Sequence, residues 1–162
     1  MDALIAFGIS FSIALITYSL MFGIFLLPRL RKIPFYKALI GLLLIHCFRT
    51  VALMMIVPTT PDHLHIFPKV IAEAIACGEL ISAVLALTCV LTIHYTKMRS
   101  LLLVWIFSLV GMGCLVLVLI NIFLYQTTTY EVGVNWLILH YYVPLLWVSH
   151  VLIIQMIMNK KI

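Results

Sequence analysis

The sequence predicts an all-α integral membrane protein, a bundle of five transmembrane helices. Two observations support this fold class. The 162-residue chain is 65% hydrophobic and only 9% charged, with a mean hydropathy of +1.26, whereas soluble domains are about half apolar and a quarter charged. Five separate segments also reach the roughly 20 apolar residues that a helix needs to cross a bilayer. We therefore expect lipid to surround most of the chain.

Each of the five apolar segments is predicted to be one spanning helix, because backbone groups in hydrocarbon must form their hydrogen bonds within the segment. The first segment lacks the basic start of a signal peptide and is too long for its apolar core, so we expect it to be retained. Short connectors leave no room for a soluble domain, and residues 1–162 are predicted to form a single transmembrane domain. The predicted spans are residues 3–27, 37–57, 69–95, 101–124 and 135–158.

Basic residues predict the orientation of the bundle. They gather around the first and third connectors and at the carboxyl terminus, whereas the second and fourth connectors offer only Lys69. The positive-inside rule then places the amino terminus outside and the carboxyl terminus in the cytoplasm. The basic residues on the predicted cytoplasmic side are Arg29, Arg31, Lys32, Lys37, Lys97, Arg99, Lys160 and Lys161.

The formal net charge of +5 does not predict a nucleic-acid partner. The charges lie at the ends of apolar segments, which is typical of membrane topology and not of a DNA-binding face. The four cysteines lie inside apolar segments without a CxxC pair, so they are interpreted as packing residues.

Arg49 and Glu79 are predicted to form an ion pair inside the membrane. Counted from the span ends at about 1.5 Å per residue, both lie near the bilayer midplane. A charge at that depth costs about 2.5–3.5 kcal/mol on insertion scales, and arginine does not escape this cost by losing its proton. Glu79 is the only carboxylate at a comparable depth. The pair is either a fastener between two helices or part of a polar site, and we favour the site.

His46 and His150 are predicted to belong to the same site. His46 lies one helical turn from Arg49 on the same face, and His150 matches its depth in the fifth span. Two intramembrane histidines can relay protons, bind a polar ligand or ligate a b-type haem. We expect Arg49 to face a polar cavity open toward the outer side, with both histidines at its floor. Pro144 is expected to kink the fifth helix beside it.

A second polar set is predicted to form a solvated vestibule at the outer mouth. Its His-x-His pattern next to acidic residues is also a weak metal-binding pattern, so a metal ion stays open as an alternative. The residues of this predicted vestibule are Asp62, His63, His65, Glu73, Asn121 and His140.

Four short stretches, "HCFRTVALMMIVP", "CGELISAVLA", "LVWIFSLVG" and "VPLLWVSHVLI", resemble a family of small uncharacterised bacterial integral membrane proteins. The resemblance covers about residues 40–155 and rests on a His-x-x-Arg pair, a Gly-acid step and a late Pro…His. It implies a bacterial cytoplasmic (inner) membrane protein and supports the choice of site residues, but it implies no activity. Cys77 stands where the family has a tyrosine. The motif positions are His46, Arg49, Gly78, Glu79, Pro144 and His150.

These observations predict transport, channel-like movement or binding of a proton, an ion or a small polar solute at the intramembrane site. A haem b-binding redox subunit and an accessory subunit of a larger membrane complex remain alternatives. The sequence contains no recognisable nucleophile–base set and no phosphate-binding loop, so an enzyme is the least expected function class. Small residues recur every fourth position in the third span and predict a close helix interface, consistent with a homo-oligomer. They are Ala74, Gly78, Ser82 and Ala86.

Overall fold

A computed structural model describes residues 3–56, 69–95, 101–125 and 137–159, and it contains helices and short turns with no strand among these residues. Five helices follow one another among these described residues. The bounds of α1 are Ala3–Met21, followed by a π-helical turn at Phe22–Leu26 and a last turn at Leu27–Leu30. The bounds of α2 are Phe35–Cys47, with a 3₁₀ continuation at Phe48–Met55. The bounds of α3 are Lys69–Tyr95, those of α4 are Leu101–Tyr125, and α5 combines a π-helical turn at Ile138–Tyr142 with Val143–Asn159.

All five helices are long and apolar enough to cross a membrane, which confirms the five predicted segments. Large apolar side chains cover the outside of the bundle. Phe48 on α2 is 70% exposed and Leu109 on α4 is 68% exposed. In water such a surface would be unfavourable, whereas lipid is as apolar as these side chains. The length and hydropathy of the helices therefore indicate a membrane protein.

Two prolines interrupt the regular hydrogen bonding of α1 and α5. Each π-helical turn ends two residues before a proline, Pro28 in α1 and Pro144 in α5. Proline lacks the N–H of an ordinary turn, and its ring clashes with the carbonyl four residues earlier. A wider turn, in which the N–H of Val143 donates to the carbonyl of Ile138 five residues back, relieves that clash. The predicted distortion at Pro144 takes this form.

The helix type of α2 changes near its middle, and Arg49 lies just after the change. Burial repeats every third residue here: His46, Arg49 and Ala52 are buried, whereas Phe48, Val51 and Met54 are exposed. A period of three is that of a 3₁₀ helix, in which side chains three apart eclipse one another. Such a long 3₁₀ run is unusual, and it keeps Arg49 on the buried face that His46 begins.

The helices pack so that α3 lies between α2 and α4, while α5 contacts α1, α2 and α4. The span of α5 is the most buried, and that of α1 the least, since α1 packs mainly on α5. The predicted small-residue interface on α3 is only partly correct. Ser82 and Ala86 are buried against neighbouring helices, but Ala74 is exposed. The buried face of α3 instead follows Ala72, Ile75, Ala76, Glu79, Ser82, Ala83 and Ala86.

Two apolar clusters fill the interior, and a polar layer separates them. One cluster contains Ala86 of α3, Phe107 of α4 and Ile153 of α5. The other contains Ile75 of α3 and Leu115 of α4. On α2, α3, α4 and α5 the buried polar groups lie beside or between these clusters. The polar layer consists of His46, Arg49, Glu79, Ser82, Ser108, Gly111, Ser149 and His150.

Candidate functional site

The ion pair of Arg49 and Glu79 is the centre of the polar layer, and it confirms the predicted pairing. Arg49 donates from Nε to Glu79 Oε2 at 2.5 Å and from Nη2 to Oε1 at 2.7 Å. The side chains are 0% and 7% exposed. Two parallel N–H···O bonds between a guanidinium and a carboxylate are the strongest form of this contact. The pair therefore satisfies two charges that would be very costly alone in this interior.

Two further contacts hold the guanidinium of Arg49 independently of Glu79. Nη2 also donates to the backbone carbonyl of Gly111 at 3.2 Å, and Nη1 lies 3.1 Å from His150 Nε2. Gly111 permits this approach because it has no side chain. A Cβ on Gly111 would lie 2.6 Å from His150 Nε2 and 2.8 Å from Arg49 Nη1. Helices α4 and α5 thus position the arginine that α2 supplies.

The contact with Arg49 determines the tautomer of His150. Arginine only donates hydrogen bonds, so Nε2 of His150 must accept one, and the ring then carries its hydrogen on Nδ1. This Nδ1 is buried and has no hydrogen-bond partner among the described residues. The Nδ1–H group of His150 therefore makes no hydrogen bond to any described residue.

His46 is bonded in the opposite sense. Its Nε2 lies 3.0 Å from the hydroxyl of Ser149, which donates its single hydrogen to the carbonyl of Leu146 at 3.0 Å. With that hydrogen on the carbonyl of Leu146, His46 Nε2 donates to Ser149, and Nδ1 is then an acceptor. That Nδ1 also lacks a partner within the described part of the chain. The layer thus contains one unused donor and one unused acceptor on neighbouring rings.

The two histidine rings contact each other directly. Their centroids are 4.1 Å apart with an angle of 52° between the planes. Phe107 packs against both, stacked on His150 and edge-on to His46, each at 5.0 Å. The structure therefore brings together all four residues of the predicted site, as the chain Glu79–Arg49–His150–His46.

This arrangement does not fit a haem ligated by His46 and His150. An iron bound by both would have to lie between their nitrogens, but here the rings are in contact. Their Nε2 atoms face Ser149 and Arg49 instead. Among the described residues, no group of three or more His, Cys, Asp or Glu side chains is placed to hold a metal ion.

A small cavity borders the ion pair on the side where α3 begins and α4 ends. Arg49, Glu79 and Tyr142 are its polar lining, and apolar side chains such as Ile75, Val118 and Leu139 form most of its walls. It is about large enough for a water molecule. The expectation that His46 and His150 form the floor of this cavity was wrong, because neither histidine lines it. The Arg49–Glu79 pair borders the cavity, and the histidines lie beyond the pair. The expected polar character was wrong too, because most of the walls are apolar.

Tyr142 links the π-helical turn of α5 to α2. Its hydroxyl donates to the carbonyl of Ile45 at 2.9 Å, close to the point where α2 changes from α to 3₁₀ geometry. Carbonyls at such a change can lose their usual partner four residues later. Tyr142 supplies that partner and at the same time lines the cavity.

The described residues of the predicted vestibule do not meet at one place. The carboxylate of Glu73 is 46% exposed and lies 3.7 Å from Lys69, and Glu73 does not line the cavity. Asn121 donates to the carbonyl of Leu117 in its own helix at 2.7 Å. His140 was expected at the open mouth, but it is 1% exposed and packs edge-on against Phe7 at 5.0 Å. Asp62, His63 and His65 lie outside the described residues.

Sequence reasoning missed three participants: Gly111, Ser149 and Tyr142. Each had a weak signal. Gly111 lies on the buried stripe of α4 between Ser108 and Leu115, where a glycine suggests a close approach. Ser149 directly precedes a predicted site histidine, and Tyr142 precedes the kinking proline by two residues.

Comparison with protein families identifies the chain. A family model described as a domain of unknown function (DUF8737) matches residues 6–158, so the chain belongs to this family. Neither the curated proteins nor the solved structures contain a match. The match agrees with the resemblance to an uncharacterised family.

Proposed function

We propose that this member of a family without a known activity binds or moves a proton, an ion or a small polar solute at the buried polar layer. The observation that carries the proposal is the Arg49–Glu79 pair, which is almost completely buried yet borders a cavity. Apolar packing replaces a buried ion pair at little or no cost in stability, so stability alone is a weak reason to retain one. Ionisable residues inside membranes commonly mark solute paths or proton relays.

Glu79 is the proton carrier in this proposal. Its carboxylate lines the cavity, and carboxylates accept and release protons, whereas arginine keeps its proton. Arg49 acts as a fixed positive charge beside the Glu79 carboxylate, and an anionic solute competes with Glu79 for that charge.

The proposed membrane and orientation follow from charge and resemblance. The chain is assigned to a bacterial cytoplasmic membrane, with the amino terminus outside and the carboxyl terminus in the cytoplasm. The distribution of lysine and arginine supports this orientation. The cavity then lies on the outer side of the ion pair, because it extends toward the start of α3 and the end of α4. We also propose that the protein is a homo-oligomer, because five helices alone are few to enclose a solute path.

Proton movement is tested in liposomes that enclose a pH-sensitive dye and hold a potassium diffusion potential. We expect faster acidification with the protein than in empty liposomes, and loss of this excess in Glu79→Gln. Glu73→Gln is the matched control, because it makes the same chemical change on a half-exposed side chain of the same helix. Equal rates for Glu79→Gln and the unaltered protein would contradict Glu79 as the proton carrier.

A second candidate is an accessory subunit in which the pair only fastens helices together. The nearly complete hydrogen bonding of Arg49 by protein groups favours it. In that case the chain co-purifies with a larger membrane complex and shows no flux alone.

A further inference from the structure

The geometry points to a small aliphatic carboxylate as the ligand of this site, with its head on Arg49 and its tail in the cavity. The inference rests on the proposed function and names its substrate class. Three observations support it: the carboxylate now bound to Arg49, the protein groups that hold its guanidinium, and the side chains that line the adjacent cavity.

The guanidinium of Arg49 is arranged as a carboxylate receptor. Its Nε and Nη2 face one carboxylate in the paired geometry by which proteins recognise planar anions. In this structure the carboxylate is the chain's own Glu79. A free carboxylate with the same two oxygens fits the same two donors, so Glu79 occupies the place of a ligand.

Arg49 stays in place when Glu79 leaves. His150 Nε2 and the Gly111 carbonyl accept from Nη1 and Nη2, and neither contact depends on Glu79. A side chain that is already held in its binding position binds a ligand more tightly, because it loses less conformational entropy on binding. These two contacts therefore hold the guanidinium in the position that a carboxylate ligand requires.

The walls of the cavity select an apolar tail. Apart from Arg49, Glu79 and Tyr142, the lining consists of aliphatic side chains, including Ile75, Val118 and Leu146. Its size in this state is about that of one water. A ligand therefore uses this space together with the volume that the Glu79 carboxylate vacates, which suits acetate, propionate or butyrate and excludes long-chain acids.

Charge balance couples binding to one proton. In a low-dielectric interior Arg49 needs one anionic partner, and a second carboxylate beside it would leave an uncompensated negative charge. Glu79 therefore takes up a proton from solvent as the ligand anion displaces it. Arg49 from α2 contacts Glu79 directly, and Tyr142 from α5 lines the same cavity. His150 from α5 and the Gly111 carbonyl from α4 contact Arg49, and the Cys114 thiol lies beside Gly78 on the helix of Glu79.

The test is calorimetric titration of the purified protein with propionate between about pH 6 and about pH 8, where free carboxylic acids are ionised. We expect one proton taken up per ligand, measured from buffers of different ionisation enthalpy. Affinity should rise about tenfold for each unit decrease in pH. Propionamide, which has the same shape without the charge, should not bind.

The variant Glu79→Gln separates exchange from simple anion binding. Its neutral amide competes poorly for Arg49 and takes up no proton, so propionate should bind more tightly and without pH dependence. Glu73→Gln should behave as the unaltered protein. Thermal unfolding with and without propionate checks that each variant is folded.

The outcomes separate this inference from the proposed function. Propionate binding without proton uptake, or with the same pH dependence in Glu79→Gln, overturns the exchange. If propionate does not bind while Glu79-dependent acidification of liposomes persists, the ligand class is wrong and the proposed function stands. If both fail, both are wrong.

Discussion

Substitution of Gly111 by alanine tests how closely α4 approaches the polar layer. An added Cβ would lie 2.6 Å from His150 Nε2, 2.7 Å from its Cε1 and 2.8 Å from Arg49 Nη1. Ordinary contacts of a Cβ begin near 3.4 Å. Either the helices separate or the Arg49–His150 contact, now 3.1 Å, is broken.

The expected cost follows from these two routes. Repacking around an extra methyl group in a filled core costs about 1–3 kcal/mol, and losing a hydrogen bond to a charged group costs about 1.5–3 kcal/mol. Alanine recovers up to about 1 kcal/mol of helix propensity relative to glycine. We therefore expect Gly111→Ala to lower the free energy of unfolding by about 1–2 kcal/mol.

Gly113 is the matched control, because a Cβ there meets nothing within 4 Å. Gly113→Ala should be neutral or stabilising by up to about 1 kcal/mol. The measurement is reversible unfolding in mixed micelles, followed by circular dichroism. Equal effects of the two alanines, or a stabilising Gly111→Ala, would refute the close approach.

Three further predictions concern the pair, the histidines and the topology. Arg49→Ala should lower unfolding free energy by about 3–5 kcal/mol because it leaves Glu79 buried and unpaired, and Arg49→Met with Glu79→Leu should recover much of it; a double variant no better than the singles contradicts the pairing. Ser149→Ala should cost about 1–3 kcal/mol by leaving His46 Nε2 unsatisfied. Ser108→Ala should cost little in the same unfolding assay, because that hydroxyl has no partner among the described residues, and equal losses argue against the His46 contact. A cytoplasm-active reporter fused to the carboxyl terminus should be active and a periplasm-active one inactive; the reverse inverts the orientation.

The sequence predicts the spans and the ion pair well for simple physical reasons. Hydropathy over about 20 residues is a direct requirement of the bilayer, so all five helices were found. Arg49 and Glu79 are the two charges at mid-depth, and each needs the other, so their contact was predictable without knowing how the helices pack. His46 joined them through helical spacing alone.

The sequence did not predict contacts that depend on how each helix is rotated and shifted against its neighbours. The close approach at Gly111 is set by the packing of α4 against α2 and α5. His140 was placed at an open mouth by position, but the rotation of α5 turns it onto Phe7. The size of the cavity likewise depends on side-chain packing, which no one-dimensional pattern contains.

The most direct test of a site against a fastener is proton influx into liposomes that contain the doubly apolar variant, Arg49→Met with Glu79→Leu. This variant must first show the helical content and unfolding profile of the unaltered protein, so that loss of function is not loss of fold. A functional site predicts a folded protein with influx no faster than in empty liposomes. Influx equal to that of the unaltered protein would contradict the central claim, because a fastener tolerates the exchange.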